Sequence, residues 1–177
     1  MHGIPFDFNQ EYYIQAVERC GGLEQLYVQY YAQQLDLIEQ CRPEILGHLD
    51  LVKIFSNQVQ SSGFAFPEEI YHQIHKNIEA VISYGGIFEV NTRSFVKGMG
   101  EPYPGIEILR RIKDMGGEIT LGDDSHGLDD IGNQYETTLE YLKKIGFQEV
   151  LAFRKKDPFN KDMSKPMACL EKIRLAL

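Results

Sequence analysis

A chain of 177 residues, 43% hydrophobic and 25% charged, has the length for one domain with its own core and the composition of an ordinary water-soluble globular protein. Its net charge of −8 argues against non-specific nucleic-acid binding, which needs a basic surface, but leaves room for a small phosphorylated ligand held by a few local cations. There is no signal-peptide pattern and no apolar run of the roughly 18 residues a membrane span needs, so no membrane partner is expected.

Cys20, Cys41 and Cys169 are far apart and form no C-x-x-C pair, which reads as reduced thiols in a cytoplasmic protein. The opening residues, Met1 to Phe6, read like the middle of a loop. Asn9 is a plausible N-cap for a helix from about Gln10 to Cys20, stopped by Gly21-Gly22. Apolar residues at Leu23, Leu26, Tyr27, Tyr30, Tyr31, Leu35 and Ile38 have helical spacing, and Pro43 closes that segment. A short strand is predicted over 44–47, leading into His48 and Asp50. Asn57 to Phe66, with Ser61-Ser62-Gly63, reads as a loop.

Pro67 at the first helical position opens a helix to about Ser83, ended by Gly85-Gly86. The next strand is Ile87 to Asn91, followed by a long polar loop from Thr92 to Pro104. A helix is predicted from Gly105 to Met115, a strand from Glu118 to Leu121, a helix from about Leu128 to Ile145, and a strand from Glu149 to Phe153. Lys155 to Lys165 reads as a charged loop and Pro166 to Ala176 as a last helix, with Cys169 in its apolar face. The strand–helix rhythm implies an α/β domain covering 1–177, with parallel strands joined by right-handed crossovers. Four strands cannot close a parallel barrel, which takes about eight, so the sheet is open or belongs to something larger.

Polar residues fall just after the strand candidates: His48 and Asp50 after the first, Glu89 and Asn91 at the end of the second, Asp124 and His126 after the third. In a parallel sheet these ends share one edge, so the groups converge there. Carboxylate oxygen with imidazole nitrogen suits Zn, Mn or Fe. Each residue also has a plainer reading. His48 could be a buried, hydrogen-bonded imidazole, Glu89 could pair with a cation, and Asp124 could N-cap the following helix. Lys53, Arg93 and Lys97 lie close enough in sequence to hold a phosphate, or are ordinary surface cations. His72 and His75, three apart on a helix, read as a solvated face. No P-loop, G-x-G-x-x-G, G-x-S-x-G or H-E-x-x-H occurs.

These segments resemble a known family. Gly47-His48-Leu49-Asp50-Leu51-Val52-Lys53 resembles the G-H-x-D-L-I-[RK] segment of histidinol-phosphatases of the polymerase and histidinol phosphatase (PHP) superfamily. Glu89-Val90-Asn91-Thr92 resembles their E-I-N-T strand, Glu101-Pro102-Tyr103-Pro104 their E-P-Y-P turn, and Leu121 to His126 their L-[GS]-[SD]-D-[AS]-H motif. His2 to Asp7 resembles their H-G-I-P-I-D loop. The resemblance implies a distorted (β/α)7 barrel of which this chain holds the last four βα units. It also implies a polynuclear divalent metal site at the mouth and hydrolysis of histidinol phosphate to histidinol and phosphate in histidine biosynthesis. It assigns His48, Asp124 and His126 to metal, with Asp124 and His126 in the catalytic centre, and matches Glu89 and Asp50 to recurring acidic positions that are further metal-ligand candidates. Arg93, Lys97 and Lys53 are the candidates for the phosphate.

The chain lacks the H-x-H pair with which such enzymes open, so it looks like a C-terminal portion, and activity on its own is in doubt. A half-barrel would expose two sheet edges and an apolar inner face, which predicts either a homo-oligomer or an aggregation-prone chain. The rival readings are a non-catalytic PHP-like module binding a phosphate or a partner chain, and a PHP phosphoesterase with another substrate.

Overall fold

The first helix forms because its start and stop are both satisfied locally. The Asn9 side chain accepts a hydrogen bond from the Tyr12 N–H at 2.9 Å, and Gly21 closes the helix at φ 88°. This is α1, Gln10–Cys20, in a computed structural model that describes residues 1–59, 67–156 and 170–177. Helix α2, Leu23–Cys41, lays Leu26, Tyr27, Tyr31 and Ile38 against it and against α4. The two-residue strand β1, Ile45–Leu46, a 3-10 turn at Leu51–Lys53 and the short α3, Ser56–Val59, follow. The loop expected at Asn57 therefore begins as helix; Ser61-Ser62-Gly63 lies outside the described residues.

Helix α4, Glu68–Ser83, is amphipathic, with Ile70, Ile74, Ile78 and Val81 buried and Pro67 in the capping position just before it. Asn77 is buried on the same face. Its amide donates to the Tyr31 carbonyl at 2.9 Å and to Gln34 Oε1 at 3.0 Å, so its polarity is satisfied across the α2–α4 contact. Strand β2, Ile87–Asn91, leads into α5, Arg93–Val96, inside the stretch expected to be loop. Then come α6, Ile106–Asp114, β3, Glu118–Gly122, and α7, Tyr135–Ile145. The predicted helix from Leu128 is interrupted. Leu128–Asp130 is a single 3-10 turn, and Gly132 and Gln134 at φ 71° and 62° break the path before α7 starts.

The strands lie in chain order, with β1, β2, β3 and β4 (Glu149–Lys155) parallel and β5 (Leu170–Ala176) antiparallel to β4. The register between β2 and β3 runs from Ile87 opposite Glu118 to Asn91 opposite Gly122. Phe88, Val90, Ile119 and Val150 face the helices and join the main core. The last helix expected from the sequence is instead strand β5 over its described part. Leu, Glu, Lys, Arg and Ala favour helix in isolation, but the β4 edge offers a ladder, and cross-strand pairs such as Arg154 Nε to Glu171 Oε1 at 2.6 Å accompany it. Cys169 and most of the charged stretch up to Lys165 lie outside the described residues. Among the described residues no helix is long and apolar enough to cross a membrane.

Candidate functional site

Parallel pairing puts the C-terminal ends of β1, β2 and β3 on one edge, and the chain there turns sharply. His48 sits at φ 20° and Asp124 at φ 49°, conformations that side chains with a Cβ adopt at a cost. Two residues singled out from sequence thus occupy strained backbone just past β1 and β3.

Glu89 stands between them on β2. Its Oε2 accepts the His48 N–H at 2.9 Å and the Asn91 side-chain amide at 3.2 Å. A Cβ at Gly47 would come to 3.4 Å from that oxygen, and a Cβ at Gly122 would overlap the other carboxylate oxygen. One carboxylate therefore touches the ends of three strands, and the two glycines make room for it. Asn91 extends the connection, because its Oδ1 accepts the Arg93 N–H at 2.9 Å. Arg93 Nη1 donates to Asp130 Oδ2 at 2.7 Å, and the same oxygen accepts the His126 N–H at 3.1 Å. A continuous run of hydrogen bonds joins the His48 backbone to the His126 backbone.

The loop after β3 is fixed by residues outside the set singled out as site candidates. Asp123 accepts from Ser125 Oγ at 2.6 Å and from the Gly132 N–H at 2.5 Å. These bonds, the Ser125 hydroxyl first, hold its carboxyl below the usual carboxylate range. Asp130 is held low in the same way, by the His126 N–H and then Arg93. Thr92 Oγ1 donates to the Asn133 carbonyl at 2.7 Å and pins the loop to the end of β2. Asp123 had a readable signal, an Asx-type turn with Ser two residues on. Asp130 had none, because its partners are distant in sequence or belong to the backbone.

His126 Nδ1 lies 2.7 Å from the Asp124 carbonyl oxygen. A carbonyl only accepts, so Nδ1 carries the proton, and in the neutral ring Nε2 presents its lone pair outward. Asp124 and His126 are exposed and His48 is half-buried. Arg93 is tied to Asp130 through Nη1, whereas Lys97 is exposed beyond α5.

Asp50 and Lys53 are drawn elsewhere. Asp50 is buried; its Oδ2 lies 2.8 Å from Lys53 Nζ and accepts the Gly105 N–H at 2.9 Å. Lys53 also donates to Glu101 Oε1 at 2.9 Å and to the Pro102 carbonyl at 3.3 Å, so its three N–H groups are taken. Burial pushes the Asp50 carboxyl up against the pull of Lys53. Burial also pulls Lys53 down, but Asp50 and Glu101 overcome it and hold the ammonium above its ordinary value. Glu101 Oε2 accepts the Ile106 N–H, so this network caps α6 from two other segments. His72 and His75 are exposed on α4, lining a surface groove of about 480 Å³ with Glu68, Tyr71 and Arg111.

Among the described residues, no three His, Cys, Asp or Glu side chains come together closely enough to hold a metal ion. The divalent ion implied by the resemblance is therefore not accommodated by these residues alone.

No family model matches the chain. It is 35% identical over 156 residues to the Schizosaccharomyces pombe protein named "Probable histidinol-phosphatase", covering 88% of this chain and 51% of that protein. The Saccharomyces cerevisiae "Histidinol-phosphatase" is 29% identical over 166 residues, covering 82% of this chain and 50% of the relative. A Listeria monocytogenes crystal structure of the "putative histidinol phosphatase hisK" superposes with a TM-score of 0.69 at 28% identity, over 75% of this chain and 51% of that one. The chain is homologous to histidinol-phosphatases. It spans about half the length of the curated relatives it matches. The histidinol-phosphatase relatives are, by that name, phosphoric monoester hydrolases, and the similarity runs over most of this chain.

Proposed function

We propose that this chain carries one side of the site of a phosphomonoester hydrolase, and that the reaction is histidinol phosphate plus water to histidinol plus phosphate, in histidine biosynthesis. The observation that supports this most is the run of hydrogen bonds from the His48 backbone through Glu89, Asn91, Arg93 and Asp130 to the His126 backbone, which links two of the three proposed donors along the strand ends. In this reading the parallel strands are the last four βα units of a distorted (β/α)7 barrel, and the site opens at their C-terminal ends.

His48, Asp124 and His126 are the donors this chain would offer to a divalent ion (Zn, Mn or Fe). The donors still needed would come from the part of the relatives' length that the chain does not match. Arg93 is the best-placed phosphate ligand. Its link to Asp130 uses Nη1, leaving the other guanidinium donors for phosphoryl oxygens. Lys97, exposed just beyond α5, is the second candidate cation.

The test is phosphate release from histidinol phosphate with Mn²⁺ or Zn²⁺. The chain is assayed alone, and then joined to the part of the Schizosaccharomyces pombe relative outside the matched span. Release by the joined protein, abolished by His48→Ala and by Asp124→Asn, supports the reading. A joined protein that folds, takes up metal and releases no phosphate overturns it.

A further inference from the structure

The sequence points to Glu89 as a metal ligand, yet its carboxylate already has occupants. Oε2 is shared by the His48 N–H and the Asn91 amide, and Oε1 rests against Gly122 on the neighbouring strand. We propose that Glu89 is a positioning residue for His48. Its carboxylate clamps the His48 backbone N–H from β2 and holds that residue in its turn, and it fits there only because residue 122 is glycine. This deepens the phosphatase reading, on which the importance of His48 rests.

β1 has two residues, so its own ladder gives little hold on the residues just beyond it. The chain then turns at His48 through φ 20°, which an L-residue does not adopt without an external constraint. The carboxylate hydrogen bond at 2.9 Å is such a constraint, because an ionised acceptor on an amide makes a short, strong bond. Gly122 lies at ordinary backbone angles, so its lack of a Cβ serves space rather than conformation. A methyl group there would occupy the position of the Glu89 carboxylate. A substitution on β3 is thereby predicted to loosen a residue after β1, with no direct contact between the two.

Amide hydrogen exchange read by NMR on the whole chain tests this without any assay of activity. Glu89→Ala is expected to speed exchange at the His48 N–H by roughly tenfold, the loss of about one strong hydrogen bond. Glu89→Gln keeps an acceptor oxygen in place and is expected to restore slow exchange to within about threefold of the wild type. Gly122→Ala is expected to mimic Glu89→Ala at His48. Added to Glu89→Ala it should change exchange there less than about twofold, because the carboxylate it would displace is gone. Core amides such as Ile78 and Leu109 serve as controls and are expected to be unchanged.

Three outcomes overturn the clamp: Glu89→Gln as disruptive as Glu89→Ala, faster exchange at His48 matched by the core amides, or independent addition of the two substitutions. Failure of histidinol phosphate hydrolysis in the joined protein leaves these exchange rates as they are. A failed clamp likewise leaves that assay free to succeed.

Discussion

Asp124 shows how a single backbone angle separates function from stability. At φ 49° with an exposed side chain, it holds a left-handed conformation that costs an L-residue about 1–2 kcal/mol, less for Asp than for Ala. Asp124→Gly is therefore expected to be more stable than Asp124→Ala by about 1 kcal/mol, read from urea midpoints, although both remove the same carboxylate. Equal midpoints would mean that the angle relaxes freely. The neighbouring Asp123 carries the pH dependence of the same loop. Its folded carboxyl is held below its unfolded value, by Ser125 Oγ first and the Gly132 N–H next. The stability it contributes is thus complete above the unfolded pKa and is lost as pH falls through the folded one. The gap in urea midpoint between wild type and Asp123→Asn is expected to be open at neutral pH and to close only in acid, as pH falls through the lowered folded pKa. A gap that persists in acid would assign the loop's hold to neutral groups.

Where α6 begins, two segments far apart in sequence do the work of a cap. Gly105 supplies no side chain, so Asp50 and Glu101 accept the first N–H groups, and Lys53 sits between the two carboxylates. Lys53→Met strands a buried carboxylate and is expected to cost about 3–5 kcal/mol in chemical denaturation. Asp50→Asn in the same chain should recover a large part of that loss, since the fully buried charge is then gone and only the more exposed Glu101 carboxylate is left without Lys53; no recovery would argue that lost packing is what matters. The contrast with the other helices explains what was legible in the sequence. α1, α2 and α4 carry their period and their stop signals within themselves, and β2 and β3 are short apolar runs that each follow a Gly-Gly pair, so local reading found all of them. α5 inside the 92–104 stretch, the late start of α7 and the strand character of 170–176 depend on partners elsewhere, namely Tyr103 across from Asn91, Asp130 and Asn133 on the loop, and the β4 edge. The candidate site divides the same way. His48, Asp124 and His126 stand out by residue type and strand position, whereas the clamp of Glu89 and the anchoring by Asp130 exist only once the strands are paired.

For the whole molecule, the open question is what meets the end of the sheet. The apolar inner face expected to be bare is not bare at Ile87 and Leu151. Both point away from the main core, yet they are 0% and 4% exposed. The edge is a different matter. β1 lies at one end of the described sheet, and beside it runs a groove of about 430 Å³ with Met1, Phe6, Tyr30, Leu37 and Ile45 among its lining residues. An end strand with unpaired N–H and C=O groups beside apolar surface is a template for pairing with another chain. A net charge of −8 on each copy opposes that approach, and the repulsion acts over a Debye length that shrinks from about 30 Å at 0.01 M salt to about 3 Å at 1 M. Self-association through this edge should therefore strengthen with salt, the opposite of an interface built on ion pairs. Light scattering is expected to give a mass near 20.3 kDa at low ionic strength, rising toward multiples of it at about 0.5 M salt. Ile45→Lys, which points a charge into the groove, should hold the chain at its monomer mass under both conditions. A wild-type mass that falls as salt rises would assign the contact to charged surfaces instead, and a constant monomer mass would leave the β1 edge without a second copy as its partner.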